Sequence, residues 1–157
     1  MITAIELTDF KCHAHSRVEL GRLTVLVGPN GAGKTSVLQA LGLIGRFARV
    51  GLADFPDDDL ISRRRTGRSR TALRLHGRHP DVGAFSLETS IEPQGGEDVL
   101  VAVGPRDVAA TGVGSTTQLS LDPARLAAPS PPAARSTIET DGYGLATVLA
   151  GLKLADD

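Results

Sequence analysis

Apolar positions change period several times along the chain. Near the start, Ile2, Ala4, Ile5 and Leu7 form a short run ending at Thr8-Asp9, and Val18 with Leu20 forms another, closed by Gly21. Leu23-Thr24-Val25-Leu26-Val27 is the strongest strand signal: continuous, largely aliphatic, β-branched at three positions and flanked by glycine. A run that is apolar on both faces predicts a strand buried inside a sheet. From Lys34 to about Arg46 the period becomes helical, with Val37, Leu38, Leu41 and Ile44 in phase. Strands are predicted again around Thr71–Leu75, over Ala84–Ile91 and at Leu100–Val103; in the second of these Phe85, Leu87, Thr89 and Ile91 alternate. Leu145, Val148, Leu149 and Leu152 form a last helical stripe, for which Asp141 is the candidate N-cap. No internal repeat is evident.

Polar segments separate these elements. Over residues 53–70, Asp54, Asp57, Asp58 and Asp59 are followed by Arg63, Arg64, Arg65, Arg68 and Arg70, which predicts an exposed charged loop. Residues 104–118 are rich in Gly and Thr, and 122–137 in Pro, Ala and Ser, as expected of connectors. At 157 residues, 41% hydrophobic and 22% charged, the chain has the make-up of one ordinary globular domain. Four Phe, one Tyr and no Trp make the core aliphatic. The 17 basic and 18 acidic side chains leave a net charge of −1, which excludes a globally basic nucleic-acid binder but not a local basic patch. A single cysteine excludes an internal disulfide framework and fits a reducing compartment. No apolar run approaches the ~18 residues of a membrane span, so no membrane partner is expected. The start carries no cationic leader, and the expectation is a soluble, cytoplasmic protein.

One motif carries chemistry. Gly28-Pro29-Asn30-Gly31-Ala32-Gly33-Lys34-Thr35 fits G-x-x-x-x-G-K-[ST], the phosphate-binding P-loop, between a predicted strand and a predicted helix. A phosphate chain needs several backbone N–H groups converging on it, and glycines leave room for that approach and permit positive φ. The helix that follows offers unpaired N–H groups and a dipole that favour an anion. Lys34, the candidate catalytic residue, reaches the β- and γ-phosphates as a point charge. Thr35 offers a hydroxyl to Mg²⁺, which prefers hard oxygen ligands. With glycine at about 7% of average usage, a chance match in a chain this long is roughly a one-in-a-hundred event. A Rossmann loop does not fit, because G-x-G-x-x-G is absent and Lys-Thr follows the last glycine.

Residues 1–41 resemble the N-terminal lobe of SMC/RecF-type, ABC-like ATPases. The resemblance lies in an opening strand, Asp9-Phe10-Lys11, a second strand, Leu23–Val27, and then Gly28 to Leu41, where Asn30 and Ser36-Val37-Leu38-Gln39-Ala40-Leu41 follow the family's pattern. Asp141-Gly142-Tyr143-Gly144-Leu145-Ala146-Thr147-Val148-Leu149 is similar to a segment of RecF-like, OLD-related bacterial ATPases. Together these stretches cover about a third of the chain. The resemblance implies an α/β P-loop NTPase fold, an ABC-like N-terminal lobe with a mixed sheet and antiparallel strands, occupying 1–157 as a single lobe of a longer ATPase. It implies ATP and Mg²⁺ as ligands, held by Lys11, Asn30, Gly31, Ala32, Gly33, Lys34, Thr35 and Ser36, with Thr35 on the metal. It also implies a glutamine that places Mg²⁺ and water, for which Gln94 and Gln118 are both candidates. The chain departs from the family in having no Walker B run of four apolar residues followed by Asp-Glu, no S-G-G signature and no switch histidine. In the family these lie in a second lobe. Without them Mg²⁺ lacks a partner and the attacking water lacks its base. Hydrolysis is then expected only with a second lobe and a dimer partner, in a setting of DNA repair or anti-phage defence.

Other readings stand beside this one. A stand-alone module that binds nucleotide or protein without hydrolysis is the alternative, and a small-molecule kinase is a third, though no acceptor pocket or base is visible. Cys12, His13, His15, His76 and His79 offer H-x-H and H-x-x-H pairs to a metal, but without finger spacing they read as surface histidines. The arginines of 63–70, continued by Arg74 and Arg78, are candidates for contact with DNA or RNA, against a loop neutralised by its own aspartates. No aromatic residue lies between 56 and 84 to stack on bases.

Overall fold

The computed structural model describes residues 1–51, 70–95, 97–105, 108–128 and 138–155. They divide into two compact units, Met1–Thr116 and Thr117–Asp157.

The first unit is one sheet with a helix on it. Strands β1 (Ile2–Phe10), β2 (His13–Glu19), β3 (Thr71–His79), β4 (Gly83–Gln94) and β5 (Glu97–Val103) form a five-stranded sheet in the order β2-β1-β3-β4-β5, antiparallel at every pairing. Period-2 alternation sets its two faces. Ile5, Leu7, Leu73, Leu75, Leu87 and Ile91 point inward and are at most 1% exposed. Against them packs helix α1 (Lys34–Val50), whose Val37, Ala40, Leu43, Ile44 and Phe47 are buried. The helix runs about one turn past its predicted end and stops at Gly51, whose φ of 77° lets its N–H close on the Phe47 carbonyl at 2.9 Å. Two short 3₁₀ turns, Ala109–Thr111 and Val113–Ser115, lie within the stretch expected to be a connector, and Val113 joins the core.

The outer face of the sheet carries a row of alternating charge. Register places Arg17, Glu6, Arg74 and Glu88 side by side across β2, β1, β3 and β4. Glu6 accepts from Arg17 and lies 3.1 Å from His76 Nε2 and 3.6 Å from Arg74. Glu88 takes Arg74 Nε at 2.6 Å and also Arg70, which reaches Glu92 at 2.8 Å. Beneath these side chains Ala4, Ala72 and Ser90 are buried. Burial alone raises the Glu6 carboxyl, but the hydrogen bonds from Arg17 and His76 and their charges outweigh it and hold the group below the usual carboxylate range.

The clearest predicted strand is not one in the structure. Leu23–Val27 is irregular, with a bend at Leu23, and joins no ladder among the described residues, and Leu23, Val25 and Val27 are 85%, 72% and 88% exposed. The physical reason is positional. Both edges of β1 are already taken by β2 and β3, so the segment cannot add beside β1, and it forms no ladder on the open edge of β2 either. The parallel pairing that a mixed sheet needs would have come from it. Leu26 alone turns inward, onto an apolar groove of about 350 Å³ that it shares with Ile2, Leu20, Val37, Leu38 and Leu41.

In the second unit, α2 (Pro123–Ala127) is capped by Asp122, whose Oδ1 accepts the Ala124 N–H at 2.8 Å, so part of the 122–137 connector is helical. Helix α3 (Leu145–Ala155) follows. Asp141 is not its N-cap, because the helix begins four residues later. The Asp141 carboxylate instead accepts the Tyr143 N–H at 3.0 Å and pairs with Arg125 at 2.7 Å, and both contacts hold its carboxyl below the usual range. Arg125 also stacks on the Tyr143 ring, 4.5 Å from its centroid.

Candidate functional site

The site is built where the first hairpin meets the start of α1. β1 and β2 are joined by only two residues, Lys11 and Cys12, and Phe10 pairs with His13 across the turn. Lys11 has a φ of 54°, a left-handed conformation uncommon for a lysine. The tight turn places Cys12 and His13 directly on Gly33, the residue before α1.

The loop from Gly28 to Gly33 wraps a concavity of about 390 Å³ lined by Cys12, Asn30, Gly31, Gly33, Lys34, Thr35 and Ser36. Gly31 and Gly33 have φ of 83° and 87°, which a side chain would oppose. Ala32 N–H closes the turn onto the Pro29 carbonyl at 3.2 Å. The Lys34 ammonium donates to the Gly28 and Pro29 carbonyls at 2.7 and 2.8 Å, drawing the loop around itself. Gly33 precedes the 17-residue α1 without any side-chain cap, and no acidic residue stands in the first turn. The first N–H groups of the helix therefore have no capping oxygen from a side chain.

These features fit a phosphate chain with Mg²⁺. One ammonium, two hydroxyls, one side-chain amide and an uncapped helix N-terminus line the concavity, and no carboxylate does. Such a set attracts anions, and a metal held there takes most of its oxygens from phosphate. Thr35 is exposed at the lining. Ser36 is buried at 8%, with its hydroxyl 3.8 Å from the Cys12 thiol.

The remaining sequence candidates lie elsewhere. Lys11 donates to the Gln39 side chain in the second turn of α1 and does not line the concavity. Gln94 ends β4 opposite Glu97, and Gln118 is exposed in the second unit. The histidines are dispersed: His15 lies 3.4 Å from the Thr8 hydroxyl, His76 faces Glu6, and His79 accepts the Asp81 N–H at 3.3 Å. Among the described residues no group of three or more His, Cys, Asp or Glu is placed to hold a metal. Most of the 53–70 segment, including Arg63, Arg64, Arg65 and Arg68, lies outside the described residues. Its last residue, Arg70, and the neighbouring Arg74 are committed to Glu88. No described helix is long and apolar enough to cross a membrane.

Sequence reasoning did not find the contact of Cys12 and His13 with Gly33. The signal was the two-residue turn itself, since it fixes where both side chains emerge.

A family model described as "AAA domain, putative AbiEii toxin, Type IV TA system" matches residues 23–130, more than half of the chain. The OLD nuclease of Thermus scotoductus is 43% identical over 44 residues, which make up 28% of this chain and 8% of that protein. The match thus spans under a tenth of the relative's length.

Proposed function

This chain belongs to that AAA domain family of P-loop ATPases, and on that premise we propose that it holds Mg²⁺-ATP on Gly28–Ser36 as the nucleotide-binding lobe of an SMC/RecF-like, OLD-related ATPase. The observation that carries the reading is the uncapped start of α1 opening into a glycine-lined concavity with Lys34 at its rim. ATP supplies a phosphoanhydride whose terminal phosphoryl group can be transferred to water.

The chain's own residues bind and orient it. Lys34 exchanges the Gly28 and Pro29 carbonyls for β- and γ-phosphate oxygens, an exchange of neutral acceptors for charged ones. Backbone N–H groups from Gly31 to Ser36 would converge on the same oxygens, that of Ala32 by leaving the Pro29 carbonyl, and Asn30 shapes the loop. The Thr35 hydroxyl is a ligand for Mg²⁺. Lys11 approaches the phosphates by leaving Gln39.

Hydrolysis needs a base and a second metal partner, so turnover belongs to an assembly with a second ATPase lobe and a dimer partner. The exposed Leu23, Val25 and Val27 are the surface such a lobe would cover, since a row of large exposed apolar side chains favours burial against a partner. DNA repair or phage defence is the proposed setting; the family's name speaks of a putative toxin of a type IV TA system and the relative's of a nuclease. Equilibrium titration with a fluorescent ATP analogue and Mg²⁺ tests the reading. The wild-type chain should bind without turnover, and Lys34→Ala should weaken binding at least tenfold. Equal affinity in the two proteins, or no binding by folded wild type, would refute it.

A further inference from the structure

We infer that His13 is a positioning residue for the phosphate loop, acting through the Gly33 carbonyl on the first turn of α1. The inference rests on the nucleotide reading above.

The argument starts from hydrogen-bond roles. His13 Nε2 lies 3.2 Å from the Gly33 carbonyl oxygen, and Nδ1 lies 2.9 Å from the Ser16 hydroxyl. A carbonyl only accepts, so Nε2 must carry the proton. In a neutral ring the lone pair is then on Nδ1, and the Ser16 hydroxyl donates to it. The Gly33 carbonyl thus selects the tautomer, and Ser16, three residues along β2, completes it from the other side of the ring. The Gly33 carbonyl also takes the Val37 N–H at 3.1 Å, the first bond of the helix. Two donors from different elements hold one peptide group, whose orientation directs the N–H groups at the start of α1.

Packing supports the same role independently. A Cβ built on Gly33 would run into His13 Nε2 and would sit 2.7 Å from Cε1 and 2.8 Å from the Cys12 sulfur. The imidazole fills the space a side chain would need, so loop and hairpin are closely fitted. His13 is anchored at the other end, because it pairs with Phe10, which is fully buried. It does not line the concavity, so its effect on a ligand passes through Gly33.

The test compares His13→Gln, whose amide nitrogen reaches the Nε2 position, with His13→Asn, whose amide stops at the Nδ1 position. With one neutral hydrogen bond at stake, His13→Asn should weaken Mg²⁺-ATP binding about 3- to 10-fold, and His13→Gln should stay within about 2-fold of wild type. A merely structural role would not separate the two. A second readout needs neither nucleotide nor variant: imidazole ¹⁵N shifts of the wild-type protein, with the ring neutral, should show His13 protonated on Nε2. Protonation on Nδ1 would overturn the inference. So would wild-type affinity in His13→Asn while Lys34→Ala still abolishes binding, and that outcome leaves the nucleotide reading intact. No binding by wild type overturns the nucleotide reading and this inference with it.

Discussion

Gly31 and Gly33 have nearly the same backbone conformation, with φ of 83° and 87°, and yet alanine should cost very different amounts at the two sites. At either position a β-carbon in the left-handed region costs about 1–2 kcal/mol, part of which is returned by the stiffer unfolded chain. At Gly31 nothing lies within 4 Å of the added methyl, so Gly31→Ala should destabilise by about 1 kcal/mol. At Gly33 the methyl meets the His13 ring, 2.7 Å from Cε1, and Cys12 Sγ at 2.8 Å, well inside contact distance. His13 must then swing away. That movement breaks its bond to the Gly33 carbonyl, worth about 1 kcal/mol, and adds an overpacking strain of about 1–3 kcal/mol. Gly33→Ala should therefore cost about 3 kcal/mol or more. Urea unfolding followed by far-ultraviolet circular dichroism reads the difference directly. Removing His13 first should recover part of the Gly33→Ala penalty, with Cys12 limiting the recovery; contacting residues couple in this way. Equal costs at the two glycines, or strict additivity with His13→Ala, would refute the packing of hairpin on loop.

Two further outcomes follow from the sheet. Thr89 is fully buried, and its hydroxyl is the one buried side-chain polar atom among the described residues with no hydrogen-bond partner, so Thr89→Val should raise stability by about 1 kcal/mol; a loss in the same urea assay would mean that the hydroxyl is satisfied in solution. Glu6 titrates below its ordinary value when folded, so the unfolded chain binds the extra proton and stability is lost as pH falls through the ordinary carboxylate range and below it; the urea midpoint should decline on that acid limb, less steeply in Glu6→Gln, and parallel acid limbs would count against the Arg17–Glu6–His76 cluster.

Much of this molecule is legible in its pattern of residues. Alternation from β3 to β5 identifies the strands, and the stripe Val37, Leu41 and Ile44 identifies α1, because one buried face imposes one period. The family motif locates the concavity because backbone geometry at Gly31 and Gly33 restricts residue type. Leu23–Val27 shows where such reading stops. Composition reports that a segment suits a sheet interior, but pairing depends on where the chain runs relative to the sheet, and that is a property of topology. The arginines of 70 and 74 make the same point in charge. In sequence they extend a basic cluster, whereas antiparallel register sets them beside Glu88 and Glu92, residues too distant along the chain to be counted as partners.

The phosphate loop itself is half local and half borrowed. Its tightness comes from within, through the Ala32–Pro29 turn and the two bonds from Lys34 to loop carbonyls. Its attachment comes from a hairpin twenty residues earlier, through His13 and Cys12 against Gly33. On the nucleotide reading proposed above, these two parts respond differently when a phosphate chain binds. Lys34 must release the carbonyls that close the loop, which loosens it at the moment the backbone N–H groups need fixed directions. A contact that holds Gly33 without involving Lys34 keeps those directions while the ammonium changes partners. The hairpin supplies that contact from β2, which β1 holds along its length, and this is the physical reason for the loop to sit on β2 rather than stand free.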